Sequence, residues 1–153
     1  VSKRKIFLFG ALTISIIAVI MAVLFPLQGS RSSDIQSNAD LHSDISPCPD
    51  SPNCITVSQT FSSDSETLLE IAKLTLEKFS PFEINEHHSD KRIDSVFRIP
   101  VFGFKDDLIL ISEPHGEESI LHIKSSSRVG YSDLGVNRRR VKKIIRELNK
   151  NLP

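Results

Sequence analysis

Cysteine is scarce in this chain, with two in 153 residues, Cys48 and Cys54. Two thiols cannot build the four-ligand cage of a structural zinc site without a nearby His pair, and their spacing is not the C-x-x-C of thioredoxin-like redox chemistry. The chain has no internal repeat and no net charge, with 19 basic and 19 acidic side chains. A second long hydrophobic run is also missing. After Leu27 the longest apolar stretch is Leu108–Ile111, so the chain offers one candidate span and no multi-pass architecture.

That one run is Ile6 to Leu27, IFLFGALTISIIAVIMAVLFPL, uncharged and preceded by Lys3, Arg4 and Lys5. As a helix it would extend roughly 33 Å, enough for a hydrocarbon core of about 30 Å. A cleaved secretory signal is the rival reading, but signal h-regions are shorter, and no small-x-small cleavage site or lipid-attachment cysteine follows. The basic residues before the span, with Asp34, Asp40 and Asp44 after it, keep residues 1–5 in the cytoplasm and put the rest outside. The expectation is a single-pass membrane protein anchored through residues 6–27, its C-terminal domain extracytoplasmic.

Residues 28–46 are rich in Ser, Asp and Asn and read as a flexible tether with a typical span of roughly 24 Å. Residues 47–150 then form one small domain with a single core. The zero net charge is divided along the chain: residues 34–118 carry 17 acids against 6 bases, and residues 119–153 carry 9 bases against 2 acids. The acidic body can therefore pair with the basic C-terminus and still leave a basic surface for an anionic partner.

Within the domain, Ser63-Asp64-Ser65-Glu66 is a capping-box pattern, and Leu68, Ala72, Leu76 and Phe79 follow at helical spacing until Pro81. Strand character follows at residues 82–87, 93–99, 107–112 and 119–125. In the last of these, Leu121 and Ile123 share one face, and His122 and Lys124 share the other, which is expected to be solvated. A final helix beginning near Asp133 buries Leu134, Val141, Ile144, Ile145 and Leu148, with Asn137 on that stripe and Arg138, Arg139, Arg140, Lys142, Lys143 and Arg146 outside. The fold class is α+β: an antiparallel sheet of about four strands with two helices packed on one face.

The candidate site is drawn from two segments. Asp106 and Asp107 precede the most apolar strand, and paired carboxylates can carry acid–base chemistry. Neighbours on a strand point to opposite faces, however, which favours turn carboxylates and an ion pair with the basic helix. The run SSSRVGYSDLGVNRRR, Ser125–Arg140, places Asp133 to cap the helix, Ser125 and Ser127 toward the core, and Asn137 across the turn. The same helix start, with Arg128, Tyr131 and Arg138, could cradle an anion, although Asp133 would compete for the free N–H groups. No His lies in this run to activate a serine, and His87 and His88 point to opposite faces, so no catalytic residue, metal site or cofactor is assigned. On the outer side of a membrane, Cys48 and Cys54 argue for a disulfide.

CPDSPNC (Cys48–Cys54), FGFKDD (Phe102–Asp107) and SSSRVGYSDLGVNRRR, in this order, resemble the domain of unknown function 1499 family over about residues 46–149. The resemblance implies a small domain, often behind a signal or membrane segment, in bacteria and photosynthetic organelles, with no established reaction, substrate or cofactor. The family positions carried onto this chain are Cys48, Pro49, Ser51, Pro52, Asn53 and Cys54; Phe104, Asp106 and Asp107; and Ser127, Arg128, Gly130, Ser132, Asp133, Gly135, Asn137 and Arg138. Lys105 departs from an apolar residue in the family pattern, and Ile109 stands where an acid is common.

Two functional expectations follow. The preferred one is a non-catalytic binding or envelope-assembly module, partnered by anionic lipid or an envelope protein. The alternative is an enzyme acting on an anionic substrate through Asp106, Asp107, Arg128, Tyr131, Asp133 and Arg138. A nucleic-acid partner for RRRVKK would require a cytoplasmic domain, which the topology argument opposes.

Overall fold

The computed structural model describes residues 41–100 and 102–152. Residues 1–5, the apolar run 6–27 and residues 28–40 of the tether lie outside the described residues. Among those described, no helix is long and apolar enough to cross a membrane.

Five strands form one antiparallel sheet: β1 (Cys54–Phe61), β2 (Glu83–His87), β3 (Arg92–Arg98), β4 (Lys105–His115) and β5 (Glu118–Ser127). Their order is β1-β5-β4-β3-β2. Two helices, α1 (Ser65–Lys78) and α2 (Val136–Asn151), pack on one face of this sheet. The α+β class stands, and the sheet has five strands where the sequence pattern predicts about four. The added strand is β1, which reads Cys-Ile-Thr-Val-Ser-Gln-Thr-Phe. Its Ile55, Val57 and Phe61 are buried at period-two positions, with Gln59 interrupting the alternation.

Register fixes what faces the helices. Ile93 pairs with Leu110 and Leu110 with Ile123, which in turn pairs with Val57, so one row of buried aliphatic side chains crosses the sheet. Leu68, Ala72 and Leu76 of α1, with Val141, Ile144 and Leu148 of α2, close over that row. Asp64 caps α1 by accepting from the backbone N–H groups of Glu66 and Thr67. Those donors hold its carboxyl below the usual carboxylate range.

The last helix starts at Val136 rather than near Asp133, because Leu134 and Gly135 both adopt left-handed backbone conformations. Leu134 is consequently not on the buried stripe: its side chain is 74% exposed.

The opposite face of the sheet is not simply solvated. Ile45, in the stretch that composition assigns to the tether, is buried, and Lys124 donates to both the carbonyl and hydroxyl oxygens of Ser46. His122 is therefore buried rather than solvated. Its Nδ1 lies 2.8 Å from the Ser58 hydroxyl, its Nε2 lies 3.0 Å from a Glu113 carboxylate oxygen, and the His42 ring stacks obliquely at 5.6 Å.

Burial lowers the His122 pKa below 6.5, and the Glu113 carboxylate opposes that shift only in part. The unfolded chain thus binds this proton at higher pH than the folded chain does. Stability carried by neutral His122 is complete above the unfolded value and is lost as pH falls toward the depressed folded value. We expect unfolding free energy, followed by chemical denaturation, to drop between about pH 7.5 and 5.5, and His122→Gln to flatten that drop. Beneath α1, the Thr75 hydroxyl is buried with no hydrogen-bond partner among the described residues. Thr75→Val should raise stability by about 1 kcal/mol in the same measurement, by removing an unsatisfied polar group at nearly constant volume.

Candidate functional site

Asp106 and Asp107 do face opposite ways, as strand alternation requires. Asp106 pairs with Phe97 and Ser127 in register on the helix side, where it is 1% exposed. Asp107 lies on the other side and accepts from the Arg128 guanidinium at Nε, 3.0 Å, and Nη2, 2.7 Å. That contact and the charge of Asp107 raise the Arg128 pKa above its ordinary value. Both groups of this pair are partly exposed, so solvent screens it.

Around Asp106 the structure builds a closed polar cluster. One carboxylate oxygen accepts from the Ser127 hydroxyl at 2.6 Å, and the other accepts from Arg140 Nη2 at 2.7 Å. Arg140 Nη1 donates to Asn137 Oδ1 at 2.5 Å and to the Ser125 hydroxyl at 3.2 Å. Ser125 also donates to Asn137 Oδ1, and Asn137 Nδ2 donates to the Ser127 hydroxyl at 3.0 Å and the Asn53 carbonyl at 3.1 Å. The guanidinium carbon of Arg140 sits 4.4 Å from the centre of the Phe97 ring.

The sequence pattern assigns Arg140 to the outer face of the helix with the other cations. Instead its side chain is only 9% exposed, and it is the counter-ion of the buried acid. Helical phase carries a hint of this: Arg140 lies three residues after Asn137 and four before Ile144, both on the buried stripe.

The cysteine segment supplies the third wall. Cys48 and Cys54 form a disulfide with their Cα atoms 5.6 Å apart. Closing so small a ring contributes about 2 kcal/mol in the chain-entropy description. Inside the ring Ser51 donates to Asn53 Oδ1 at 2.6 Å, and Asn53 Nδ2 donates to the Gly130 carbonyl. The Asn53 carbonyl also accepts from the Ser127 backbone N–H at 3.0 Å, so this one residue ties the disulfide loop to the end of β5, to α2 and to the turn between them.

Asp133 serves the helix start: one oxygen accepts from the Gly135 N–H at 2.9 Å and the other from the Asn137 N–H at 2.6 Å. The donors that an anion would use are thereby occupied by a carboxylate of the chain itself. Tyr131 is 74% exposed and Arg138 is exposed, and neither joins the Asp106 cluster. Of the seven candidate residues, Asp106 and Asn137 share the cluster, Asp107 and Arg128 form a separate surface pair, Asp133 caps α2, and Tyr131 and Arg138 face outward. The residues that sequence reasoning left out of the site are Arg140, Ser125, Ser127 and Asn53. Among the described residues no group of three or more His, Cys, Asp or Glu side chains could hold a metal ion.

The segments joined by this cluster all lie within the range matched by the model of the family described as "Protein of unknown function (DUF1499)", residues 44–148. The chain belongs to this family. No curated protein matches it. Among solved structures, the protein TTHA0849 from Thermus thermophilus is similar at 12% identity and a TM-score of 0.32, over 63% of this chain and 92% of that one.

In this DUF1499 domain the cluster holds a buried acid against a nearly buried cation. Burying two charges is costly, and their attraction offsets that cost only while both partners remain. Arg140→Met leaves Asp106 buried without a counter-ion and should lower stability by about 3–5 kcal/mol in chemical denaturation. Adding Asp106→Asn to Arg140→Met should recover part of that loss, because the orphaned charge is then gone.

Proposed function

We propose that this chain is a membrane-anchored, extracytoplasmic binding or envelope-assembly module that works without turnover, its exposed cations meeting anionic lipid or an envelope protein. The observation that carries this reading is the enclosure of the family motifs. Asp106, Asp107 and Asp133 are all held by partners within the chain, and the exposed side chains near them include Phe104, Val129, Tyr131, Leu134 and Arg138. Turnover of an anionic substrate would instead require those acids, with Arg128, Tyr131 and Arg138, to converge on one accessible space. The Cys48–Cys54 disulfide suits an oxidising compartment, and the run Ile6–Leu27 with its preceding bases suits an anchor of that orientation.

The test is topological. The full chain should stay with the membrane after alkaline extraction, and a reporter fused after Pro153 should be active only if it is a type that works outside the cytoplasm. Activity of a cytoplasm-only reporter, or release of the intact chain into the soluble fraction, overturns the reading.

A further inference from the structure

The strand ends divide the domain into two poles with different surfaces. At one pole lie the start of β2, the β3–β4 turn, the disulfide loop and the β5–α2 turn, brought together by register: Glu83 pairs with Val96, Val96 with Asp107, Asp107 with Ser126, and Ser126 with Cys54. At the other lies the β4–β5 turn at His115–Glu118, across the length of the 11-residue β4.

Six of the seven large apolar side chains that stand exposed among the described residues belong to the first pole: Phe82, Phe102, Phe104, Val129, Tyr131 and Leu134. Phe102 and Phe104 stack on each other at 5.6 Å while remaining 69% and 51% exposed, so their contact does not bury them. Cations stand among them. Lys105 Nζ lies 4.9 Å and the Arg98 guanidinium 6.0 Å from the Phe82 ring centre, and Arg138 lies in the first turn of α2. None of these three cations makes an ion pair among the described residues. The acids of this pole are Asp106, Asp107 and Asp133, all engaged as described above, together with Asp50 and Glu83.

We propose that this aromatic and cationic pole docks on the anionic bilayer to which the chain is anchored, with Phe102, Phe104, Tyr131 and Leu134 entering the headgroup boundary and Arg98, Lys105 and Arg138 meeting lipid phosphates. The proposal rests on the anchored reading above. Exposed apolar clusters of this kind mark interaction surfaces, and aromatic side chains interleaved with Lys and Arg match a membrane interface, apolar below and negatively charged above. Only residues 28–40 separate the apolar run from the first described residue, and 13 residues reach no farther than about 47 Å when fully extended. The domain is thus confined beside a lipid surface. Pairing this pole with the same pole of a second copy would bring two sets of these cations without ion-pair partners into one interface, which disfavours a self-interface.

The chain contains no Trp, so one introduced indole reports without background. Full-length Phe102→Trp and Glu117→Trp, the second at the opposite pole, would be reconstituted into vesicles containing brominated lipid, with and without phosphatidylglycerol. Docking predicts a blue-shifted emission from the indole at position 102, quenched at least roughly twofold in the anionic vesicles, weaker quenching in neutral ones, and an unquenched indole at position 117. Adding Arg98→Gln to Phe102→Trp should weaken the docked population about fivefold. Equal quenching at 102 and 117, or at 102 in neutral and anionic vesicles, overturns the proposal. So does a blue shift at 102 in lipid-free detergent that grows with protein concentration, which would assign the pole to a second copy. Failure here with the reporter and extraction results intact leaves the anchored reading standing. Failure of those results removes both.

Discussion

The ion pair between Asp106 and Arg140 is the constraint around which the rest of the domain is arranged. A carboxylate at the helix-facing end of a central strand is costly to bury, and it persists because a guanidinium from α2 and a hydroxyl from β5 meet it at 2.6–2.7 Å. That demand sets where α2 lies. Val141, Ile144 and Leu148 can seat on the sheet only in the rotation that also brings Asn137 and Arg140 onto the polar cluster, so packing and hydrogen bonding select one helix position together. A cluster in which every member is satisfied specifies such an arrangement more sharply than apolar contact alone.

Around this pair the three motif segments become parts of one joint. The disulfide loop presents the Asn53 carbonyl, β4 presents Asp106, and the β5–α2 segment presents Ser125, Ser127, Asn137 and Arg140. Residues far apart in sequence are thus joined through side chains that are mostly short and hydrogen-bonding rather than large and apolar. In this joint Ser125, Ser127, the single acid Asp106, Asn137 and Arg140 converge and satisfy one another.

The two faces and two poles of the sheet then carry different properties. The helix face holds the aliphatic core and the ion pair. The back face is partly covered by residues 41–46, and that cover turns His122 from a surface group into a buried, titrating one. The pole with the disulfide and the β5–α2 turn gathers exposed aromatics and cations, and there the disulfide loop and the β5–α2 turn are held by Asn53 and Asp133.

Local pattern determined much of this protein. Helix α1 was legible from its capping residues and apolar spacing, four of the five strands from strand-forming segments bounded by turn residues, the disulfide from two close cysteines, and the opposite facing of Asp106 and Asp107, though not which one turns inward, from strand geometry. Strand β1 was less legible because Gln59 breaks its apolar alternation; its place at the sheet edge comes from pairing with β5, a long-range contact. The start of α2, the burial of His122 and the role of Arg140 were decided only by tertiary structure. A helix start depends on backbone turns at Leu134 and Gly135, and a histidine's environment depends on what crosses its face. Within a run of three arginines, helical phase hints at which one turns inward, but its role is set by the acid that another strand brings within 2.7 Å, and no local signal in Arg138-Arg139-Arg140 encodes where that acid will be.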